Sequence, residues 1–305
     1  MRQNGDIRKL LFVYNPASGR GQIRSRLFDM IDVFVKNGYQ VIAYPTQCSG
    51  DARRVVKERE DDIAMVVCSG GDGTLDEVVS GMMESGTCIP IGYVPSGSTN
   101  DFAKSLGLPH SFKKATTAAM EGREFPCDIG QFNDDYFVYV AAFGMFTDVS
   151  YDTDQHMKNL LGHAAYIIEG AKRLPIVESY HFHIEYTDEN DDVVELDDDY
   201  LLGMVTNSTS VGGFKNITGK RILLDDGVFE VTLIRKPLNP MDLIIISDAI
   251  DGRTQDQGLI VQFKAKKASF VTESPVAWAL DGEYGGEFLR ADMTNLKHAV
   301  SIMVP

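Results

Sequence analysis

Apolar and polar residues follow one another in a repeating order along residues 1–128, and this order predicts strands that alternate with helices. The clearest segment begins with an apolar run, Ile63 to Cys68, which is rich in β-branched residues and suits a strand buried on both faces. Thr74 and Glu77 have the spacing of a capping box, which places Thr74 at the N-cap of a helix. The apolar positions that follow recur with helical period at Leu75, Val78, Val79, Met82 and Met83.

The same order recurs on both sides of this segment. Further strands are predicted at Leu10 to Tyr14, Val41 to Tyr44 and Ile89 to Val94. Helices are predicted over the apolar face that begins at Ile23, over a short segment ending near Gly107, and over Lys113 to Glu121. Repeated strand–loop–helix units indicate a parallel sheet, whose ligands bind beyond the carboxyl ends of the strands.

A glycine-rich loop, Ser69 to Gly73, lies between the central strand and its helix. Glycine takes positive φ without steric cost, and backbone N–H groups at a helix N-terminus can hold a phosphate. Asp72 in this loop would repel a phosphate unless a cation lay between them, so the loop favours a nucleotide bound with a divalent metal. A plain surface turn is the alternative, because Gly and Asp are common turn residues.

From about Ile129 the pattern changes to short strands separated by turn signals. The candidates are Tyr136 to Val140, Phe182 to Tyr186, Val193 to Leu196, Tyr200 to Thr206, Val228 to Ile234, Ile260 to Phe263, Ala268 to Val271 and Ala277 to Leu280. Two helices interrupt them, over about Gln155 to Leu174 and from Pro240 onward. The acidic stretches Asp188 to Asp192 and Asp197 to Asp199 are interpreted as two exposed hairpin turns. We therefore expect a second, antiparallel domain over residues 129–290, built as a β-sandwich.

Composition limits the function classes. With 305 residues, 44% hydrophobic and 24% charged, the chain has the profile of a globular protein large enough for two domains. It has no apolar run of about 18 residues and no signal-peptide pattern, so we expect a soluble, cytoplasmic protein. The net charge of −15 argues against a nucleic-acid partner. The four cysteines, Cys48, Cys68, Cys88 and Cys127, are expected to be reduced core thiols.

Any contact with an anionic membrane would need a local basic cluster, because the chain as a whole is acidic. The candidates are Lys264, Lys266 and Lys267, or Arg53, Arg54, Lys57 and Arg59. Ordinary solvated surface is the favoured interpretation of both clusters.

Several common motifs are missing. The chain has no P-loop, no complete dinucleotide fingerprint after Gly71, no GxSxG elbow and no HExxH motif. His181 and His183 share one face of a predicted strand, but they lack a nearby third ligand and are interpreted as structural.

One ordered set of motifs resembles a known family. These motifs are Asn15-Pro16-Ala17-Ser18-Gly19, Gly70-Gly71-Asp72-Gly73-Thr74, Gly97-Ser98-Thr99-Asn100-Asp101-Phe102-Ala103, Asp225-Asp226-Gly227 and Asp281-Gly282-Glu283. Together, over nearly the whole chain, they resemble the bacterial diacylglycerol kinases, soluble lipid kinases related to sphingosine kinases. GGDGT alone is shared with NAD kinases and phosphofructokinases.

The resemblance implies a fold and a set of binding residues. The fold is an α/β nucleotide-binding domain of the NAD-kinase and diacylglycerol-kinase type, residues 1–128 with 291–305 returning to it, plus the β-sandwich for the lipid. ATP is expected to contact Asn15, Pro16, Ala17, Ser18, Gly19, Thr46, Gly70, Gly71, Asp72, Gly73, Thr74, Leu75, Asp76, Thr99, Asn100 and Asp101. Mg²⁺ is expected at the Asp226 side chain and the carbonyls of Leu223 and Val228, while Asp72, Asp101 and Asp128 help to organise metal and water near the phosphates.

The resemblance also implies the catalytic residues. Glu283 matches the family's catalytic base, and Asp72 and Asp281 are expected to be catalytic residues as well. An alcohol acceptor needs such a base because its hydroxyl is a poor nucleophile at neutral pH. A plain hairpin turn is the alternative for Asp281-Gly282-Glu283, and Glu287 is the alternative carboxylate.

The sequence therefore predicts an ATP- and Mg²⁺-dependent kinase that converts diacylglycerol to phosphatidic acid at a membrane surface, with transient peripheral contact at its inner face. Family resemblance suggests a homodimer. The segment Asp152 to Pro175 either lines an acyl-chain groove or, as we favour, is a core-facing helix. Other lipid alcohols such as sphingosine or a prenol, an NAD kinase activity, and a nucleotide-binding regulator without turnover are the alternatives.

Overall fold

The computed structural model describes residues 8–21, 23–144, 179–209, 211, 222–250 and 258–305. The chain forms two compact units: unit 1 is Met1–Ile129 with Lys297–Pro305, and unit 2 is Gly130–Leu296. The sequence placed the division after residue 128 and the return at residue 291. The helix predicted within Asp152 to Pro175 lies outside the described residues.

Unit 1 alternates strands with helices. Its strands include β1 (Arg8–Tyr14), β2 (Tyr39–Pro45), β3 (Ile63–Gly70) and β4 (Ile91–Pro95). Its helices include α1 (Ile23–Lys36), α2 (Asp51–Lys57), α3 (Asp72–Ser85), α4 (Asp101–Ser105), α5 (Phe112–Glu121) and a 3₁₀ turn at Ser18–Gly21. The strand β5 (Arg123–Phe132) ends in unit 2, and the strand β13 (Glu283–Val304) begins in unit 2 and ends in unit 1.

The strands of unit 1 pair in parallel. β1 lies between β2 and β3, β3 pairs with β4, and Ile302 of β13 pairs with Ile91 of β4. Apolar side chains of the strands pack against α1 and α5, with Phe12, Phe34 and Val67 completely buried. Because parallel strands end at the same edge, the loops after β1, β3 and β4 emerge together.

The start of α3 differs from the prediction. The helix begins at Asp72 with Gly71 at the N-cap, and the N-cap residue makes no side-chain capping bond. Thr74 therefore lies inside the first turn, and the predicted capping box is wrong. Glu77 instead uses its carboxylate on another element, accepting hydrogen bonds from the Gly50 and Ala52 N–H groups at 2.7 and 2.9 Å.

Unit 2 is built mainly from antiparallel strands. They are β6 (Asp135–Phe137), β7 (Val140–Gly144), β8 (Tyr180–Thr187), β9 (Val193–Thr206), β10 (Phe229–Arg235), β11 (Ile260–Ala265), β12 (Lys267–Leu280) and the first part of β13. The helix α6 (Pro240–Ile250) follows β10. An apolar core that includes Trp278, Phe143, Phe182 and Phe270 lies beneath these strands.

The pairings in unit 2 are antiparallel throughout the described strands. β9 pairs with β7, β8 and β10, and β12 pairs with β7, β8 and β13. The prediction of an N-terminal α/β region followed by a region rich in antiparallel sheet is confirmed.

The second acidic stretch is not a turn. Asp188–Asp192 forms the hairpin between β8 and β9, as predicted, but Asp197–Asp199 lies within β9. Cations compensate part of the charge of these aspartates, because Arg235 contacts Asp198 at 2.8 Å and Lys236 contacts Asp199 at 3.4 Å. His181 and His183 of β8 contact Asp197 and Asp199 at 3.0–3.3 Å.

The cysteines only partly follow the prediction. All are free thiols; Cys68 and Cys127 are buried, whereas Cys48 and Cys88 are exposed. Both exposed thiols lie in connections beyond strand or helix ends, where the apolar periodicity gives no information. Among the described residues, no helix combines the length and apolar character needed to cross a bilayer.

Candidate active-site residues

Backbone hydrogen bonds join the three loops that follow β1, β3 and β4. The Asn15 N–H, just after β1, donates to the Ser69 carbonyl of β3 at 2.9 Å. The Ser96 N–H, just after β4, donates to the Gly70 carbonyl at 2.8 Å. The Ser96 hydroxyl also donates to the Ser18 hydroxyl at 3.1 Å. The sequence motifs on these loops therefore form one continuous rim at the carboxyl edge of the unit 1 sheet.

Two glycines of the rim are required by close approach of one loop to another. A Cβ atom on Gly19 would overlap the carbonyl oxygen of Ser96, and Gly19 has a φ of +57°. A Cβ atom on Gly97 would lie 2.5 Å from Cα of Gly71. Side chains at these positions would force the loops apart, so the glycines set the spacing of the rim.

Asp72 uses its carboxylate to join two of the predicted phosphate-binding motifs. Its Oδ2 and Oδ1 atoms accept hydrogen bonds from the backbone N–H groups of Asp101 and Phe102 at 3.0 and 3.3 Å. These N–H groups begin α4, whose positive end favours a carboxylate. Burial raises the pKa of Asp72, and the two hydrogen bonds offset part of that rise. Asp72 thus acts first as a bridge from α3 to α4.

Asn100 and Asp101 are also held from within unit 1. Asn100 is buried with a φ of +49°, and its amide exchanges hydrogen bonds with the Gly97 N–H and carbonyl at 3.0 and 2.8 Å. Asp101 is 2% exposed and lies 3.1 Å from Nζ of Lys104. Asn tolerates the left-handed conformation, which explains why it occupies this turn.

The other predicted nucleotide contacts lie along the same rim. Thr74 and Leu75 are buried, and their N–H groups donate to the Gly71 carbonyl at 3.1 and 3.2 Å. Gly70 is buried as well. The half-exposed residues of the set are Asn15, Pro16, Ser18, Gly19, Thr46, Gly71, Asp72, Gly73, Asp76 and Thr99, and Ala17 is exposed. The half-exposed and exposed residues are the more accessible members of the predicted nucleotide set.

The sequence did not predict a set of hydrogen bonds beside this rim, which we call the brace. The Thr46 N–H donates to the Tyr14 carbonyl at 2.9 Å, and Asp51 accepts the following N–H, that of Gln47, also at 2.9 Å. Glu77 of α3 holds the start of α2, as described above. Gly50 and Glu77 are 27 residues apart in the sequence, so no local spacing signals this contact.

Asp128 lies on β5 and is completely buried. Its Oδ1 accepts a hydrogen bond from the His298 N–H at 2.8 Å, and His298 has a φ of +54°. The carboxylate therefore joins β5 to the returning C-terminal strand within unit 1.

The predicted metal residues of unit 2 lie in the turn before β10. Asp226 Oδ2 is 3.0 Å from Nζ of Lys264, which also lies 3.3 Å from Oε1 of Glu230. Burial raises the pKa of Glu230 to about 7, and Lys264 offsets part of that effect. The Val228 N–H donates to Asp226 Oδ1 at 3.3 Å, while Leu223 is 56% exposed.

Oxygen donors at this turn suit Mg²⁺ by type, since it prefers carboxylate and carbonyl ligands. Lys264 already supplies positive charge to Asp226, so a metal ion would share this carboxylate. Over the described ranges, no group of three or more His, Cys, Asp or Glu side chains is arranged to bind a metal.

Glu283 is exposed at the first position of β13, directly after the Asp281-Gly282 turn. Asp281 is 5% exposed, so its side chain points into unit 2 rather than to solvent. Glu287 is also exposed and lies on β13 opposite Ala277.

Most members of the basic clusters considered for membrane contact are paired with acids. Arg53 and Lys57 contact Glu84 at 2.6 and 3.1 Å, and Lys266 contacts Asp191 at 2.7 Å. Such pairs favour the interpretation of ordinary solvated surface for these residues.

Comparison with known proteins gives the family. Residues 9–132 match the model of the diacylglycerol kinase catalytic domain. The chain is 32% identical to a diacylglycerol kinase of Bacillus subtilis (strain 168), covering 98% of this chain and 97% of that one. It is 34% identical to a diacylglycerol kinase of Staphylococcus carnosus (strain TM300), covering 96% and 94%.

The fold is likewise shared with a solved structure. A crystal structure of a diacylglycerol kinase from Bacillus anthracis str. Sterne superposes with a TM-score of 0.74 at 18% identity, covering 99% of this chain and 98% of that one. Since sequence similarity above 30% extends over almost all of this chain and of its relatives, the chain belongs to the diacylglycerol kinase family.

Proposed function

We propose that this protein is an ATP- and Mg²⁺-dependent kinase that phosphorylates diacylglycerol to give phosphatidic acid. The observation that carries the proposal is the full-length similarity to diacylglycerol kinases. The joined rim of unit 1 supports it, because backbone amides at the carboxyl edge of a parallel sheet suit phosphate groups.

ATP would lie along the rim formed after β1, β3 and β4. The Asn15–Gly19 and Gly70–Gly73 segments and the Thr99 region would hold its phosphates, and Thr46 would lie beside the nucleotide. Asp72 would act by fixing the spacing of α3 and α4, because its carboxylate already accepts two backbone hydrogen bonds.

Asp226, with the carbonyls of Leu223 and Val228, would hold Mg²⁺, and Asp128 would help to order metal and water. Bound Mg²⁺ supplies positive charge that neutralises the charge developing on the transferred phosphoryl group. Lys264 would share the Asp226 carboxylate with the metal ion, since it contacts Asp226 and Glu230 from the neighbouring strand.

Glu283 would accept the proton of the lipid hydroxyl. The hydroxyl oxygen forms a bond to the γ-phosphorus of ATP, while the bond from that phosphorus to the β,γ-bridging oxygen breaks and leaves ADP. The proton lost by the hydroxyl moves to the Glu283 carboxylate, so atoms and charge balance. The exposed position of Glu283 leaves its carboxylate accessible to such an acceptor.

Unit 2 would take the lipid, with its antiparallel strands packed as a β-sandwich over the aromatic core. Unit 1 would have the same kind of α/β nucleotide-binding fold as NAD kinases. A substrate of this kind resides in a membrane, so the protein would be cytoplasmic and make transient peripheral contact with the inner membrane face. We propose a homodimer, and we expect no nucleic-acid partner because the net charge is −15.

A panel of acceptors tests this proposal. Purified protein is incubated with radiolabelled ATP, Mg²⁺ and mixed micelles of diacylglycerol, sphingosine or a prenol, and with NAD in a separate reaction. We expect phosphatidate as the main labelled product. If a sphingosine, prenol or NADP product is labelled and phosphatidate is not, that acceptor is the substrate in place of diacylglycerol. ATP binding without transfer to any acceptor would contradict kinase activity.

A further inference from the structure

The turn that precedes Glu283 is a two-residue hairpin loop that is hydrogen-bonded to residues 138–140. Leu280 of β12 pairs with Glu283 of β13, and Asp281 and Gly282 between them have φ values of +51° and +87°. Positive φ at both central residues is the pattern of a type I′ turn, which matches the twist of paired strands. The backbone position of Glu283 is therefore set directly by this turn.

The Asp281 carboxylate is bonded to three consecutive backbone N–H groups of unit 2. Oδ2 accepts the Val138 N–H at 2.6 Å, and Oδ1 accepts those of Tyr139 and Val140, both at 2.9 Å. An ionised carboxylate accepts such bonds at about twice the strength of a neutral acceptor. The side chain is 5% exposed, so these bonds are shielded from water.

The main chain of Asp281 is held from the same segment. Its N–H donates to the Val140 carbonyl at 2.8 Å, and its carbonyl accepts the Tyr139 hydroxyl at 3.2 Å. Both the side chain and the backbone of this residue are thus fixed on residues 138–140. A plain hairpin turn needs none of these contacts, since Asp-Gly alone favours the turn.

We propose that Asp281 is a positioning residue that locks the Glu283 turn onto residues 138–140 and so fixes where the base carboxylate is presented. It makes this contribution through Glu283 and does not touch the reacting atoms, because its own carboxylate is buried and accepts three backbone N–H groups. This inference rests on the proposed role of Glu283 as base.

The test substitution is Asp281→Asn. Asn tolerates positive φ as Asp does, so the turn keeps its backbone preference while the charged acceptor is lost. Since misplacing a catalytic group by about 1 Å can cost on the order of 10²-fold, we expect kcat to fall by about 10- to 100-fold. KM for ATP should stay unchanged, because the rim of unit 1 is not altered. Tyr139→Phe, which removes only the hydroxyl bond, should give a smaller fall in kcat.

Asp188→Asn is the matched control. Asp188 also lies at a hairpin of unit 2 and accepts two backbone N–H groups, those of Asn190 and Asp192, at 2.7 and 2.9 Å. Its substitution should change the melting temperature without changing kcat. An equal fall of kcat in Asp188→Asn would show that any weakened hairpin of this unit impairs turnover, and would overturn the positioning role.

A double-mutant cycle separates this inference from the proposed function. Single-turnover rates are measured for Asp281→Asn, Glu283→Gln and the double variant at saturating ATP. If Asp281 acts through Glu283, its substitution lowers the rate in the wild type but adds no loss to Glu283→Gln. The same loss in both backgrounds would overturn the positioning role while leaving Glu283 as base.

The remaining outcomes are also decisive. If the single-turnover rate falls in Glu283→Gln but is normal in Asp281→Asn, only the positioning role is refuted. An unimpaired Glu283→Gln would refute the base assignment first, and the positioning inference with it. If Asp281→Asn does not fold, the same cycle is run with Tyr139→Phe, for which an unchanged kcat would count against the inference.

Discussion

At the scale of single residues, the signature positions of unit 1 hold the loops to one another before any ligand is considered. Gly19 and Gly97 allow close approach of neighbouring loops, and Asp72 accepts the N–H groups that begin α4. A phosphate site needs this rigidity, because its amide donors must point at one place in advance. The residues that resemble a binding motif therefore also hold these loops together.

A substitution at Gly19 measures how much the close approach matters. Gly19→Ala should lower affinity for ATP by about 10-fold or more, because overpacking of this kind costs ~1–3 kcal/mol and moves the loop backbone. Affinity is measured by titration calorimetry with ATP. The matched control is Gly38→Ala: Gly38 also has positive φ, but an added Cβ would meet nothing within 4 Å. Equal ATP affinities for the two variants would refute the role given to Gly19.

At the scale of elements, α2 and α3 are coupled through side chains that bind backbone N–H groups. Glu77 of α3 accepts the N–H groups of Gly50 and Ala52, and Asp51 of α2 accepts that of Gln47. Asp51 also accepts the Tyr44 hydroxyl at 3.1 Å and contacts Arg54 at 2.5 Å. This brace holds the segment after β2, where Thr46 is proposed to meet the nucleotide.

The brace predicts a pH-dependent contribution to stability. Hydrogen bonds from the Gln47 N–H and then from Arg54 lower the pKa of Asp51 below its ordinary value of 3.8. Because the folded-state pKa lies below the unfolded one, the stabilisation is present above about pH 4 and is lost as the pH falls through the folded-state value. Protonation of Asp51 would therefore release the brace.

Asp51→Asn should accordingly lower the free energy of unfolding by ~1–3 kcal/mol at pH 7 and by less at pH 2.5, because the contribution of the wild-type carboxylate decreases as the pH falls towards its folded-state pKa. Urea denaturation at the two pH values measures this difference. Asp29→Asn on the exposed face of α1 is the control and should stay within about 0.5 kcal/mol at both. A loss at Asp51 that is the same at both pH values would contradict the assigned cause.

At the scale of the whole molecule, the class of each region could be predicted because it depends on local periodicity. Apolar runs and helical repeats placed β1, β3, α1 and α5 close to their observed bounds. The prediction failed where the local structure depends on residues that are far apart in the sequence. Asp197–Asp199 lies within a strand because β9 pairs with β8, whose His181 contacts Asp199. The helix α3 begins at Asp72, whose carboxylate accepts hydrogen bonds from the first N–H groups of α4.

Motif resemblance predicts the loop residues and Glu283 as site residues, since each motif is continuous in the sequence. It gave no sign that Lys264 lies at Asp226 or that Asp281 is bound by residues 138–140, because these partners are 38 and about 140 residues apart. Such contacts depend on strand pairing, which single-sequence patterns do not define.

In the proposed reaction, the Glu283 carboxylate accepts the proton of the diacylglycerol hydroxyl during phosphoryl transfer from ATP. The most direct measurement is the single-turnover rate of phosphatidate formation from radiolabelled ATP by wild type, Glu283→Gln and Glu287→Gln, with ATP affinity measured for each. Removal of a general base lowers such a rate by about 10²- to 10⁴-fold. We predict that loss for Glu283→Gln with unchanged ATP affinity, and a wild-type rate for Glu287→Gln. A Glu283→Gln enzyme that forms phosphatidate as fast as wild type would contradict the role of Glu283 as the base.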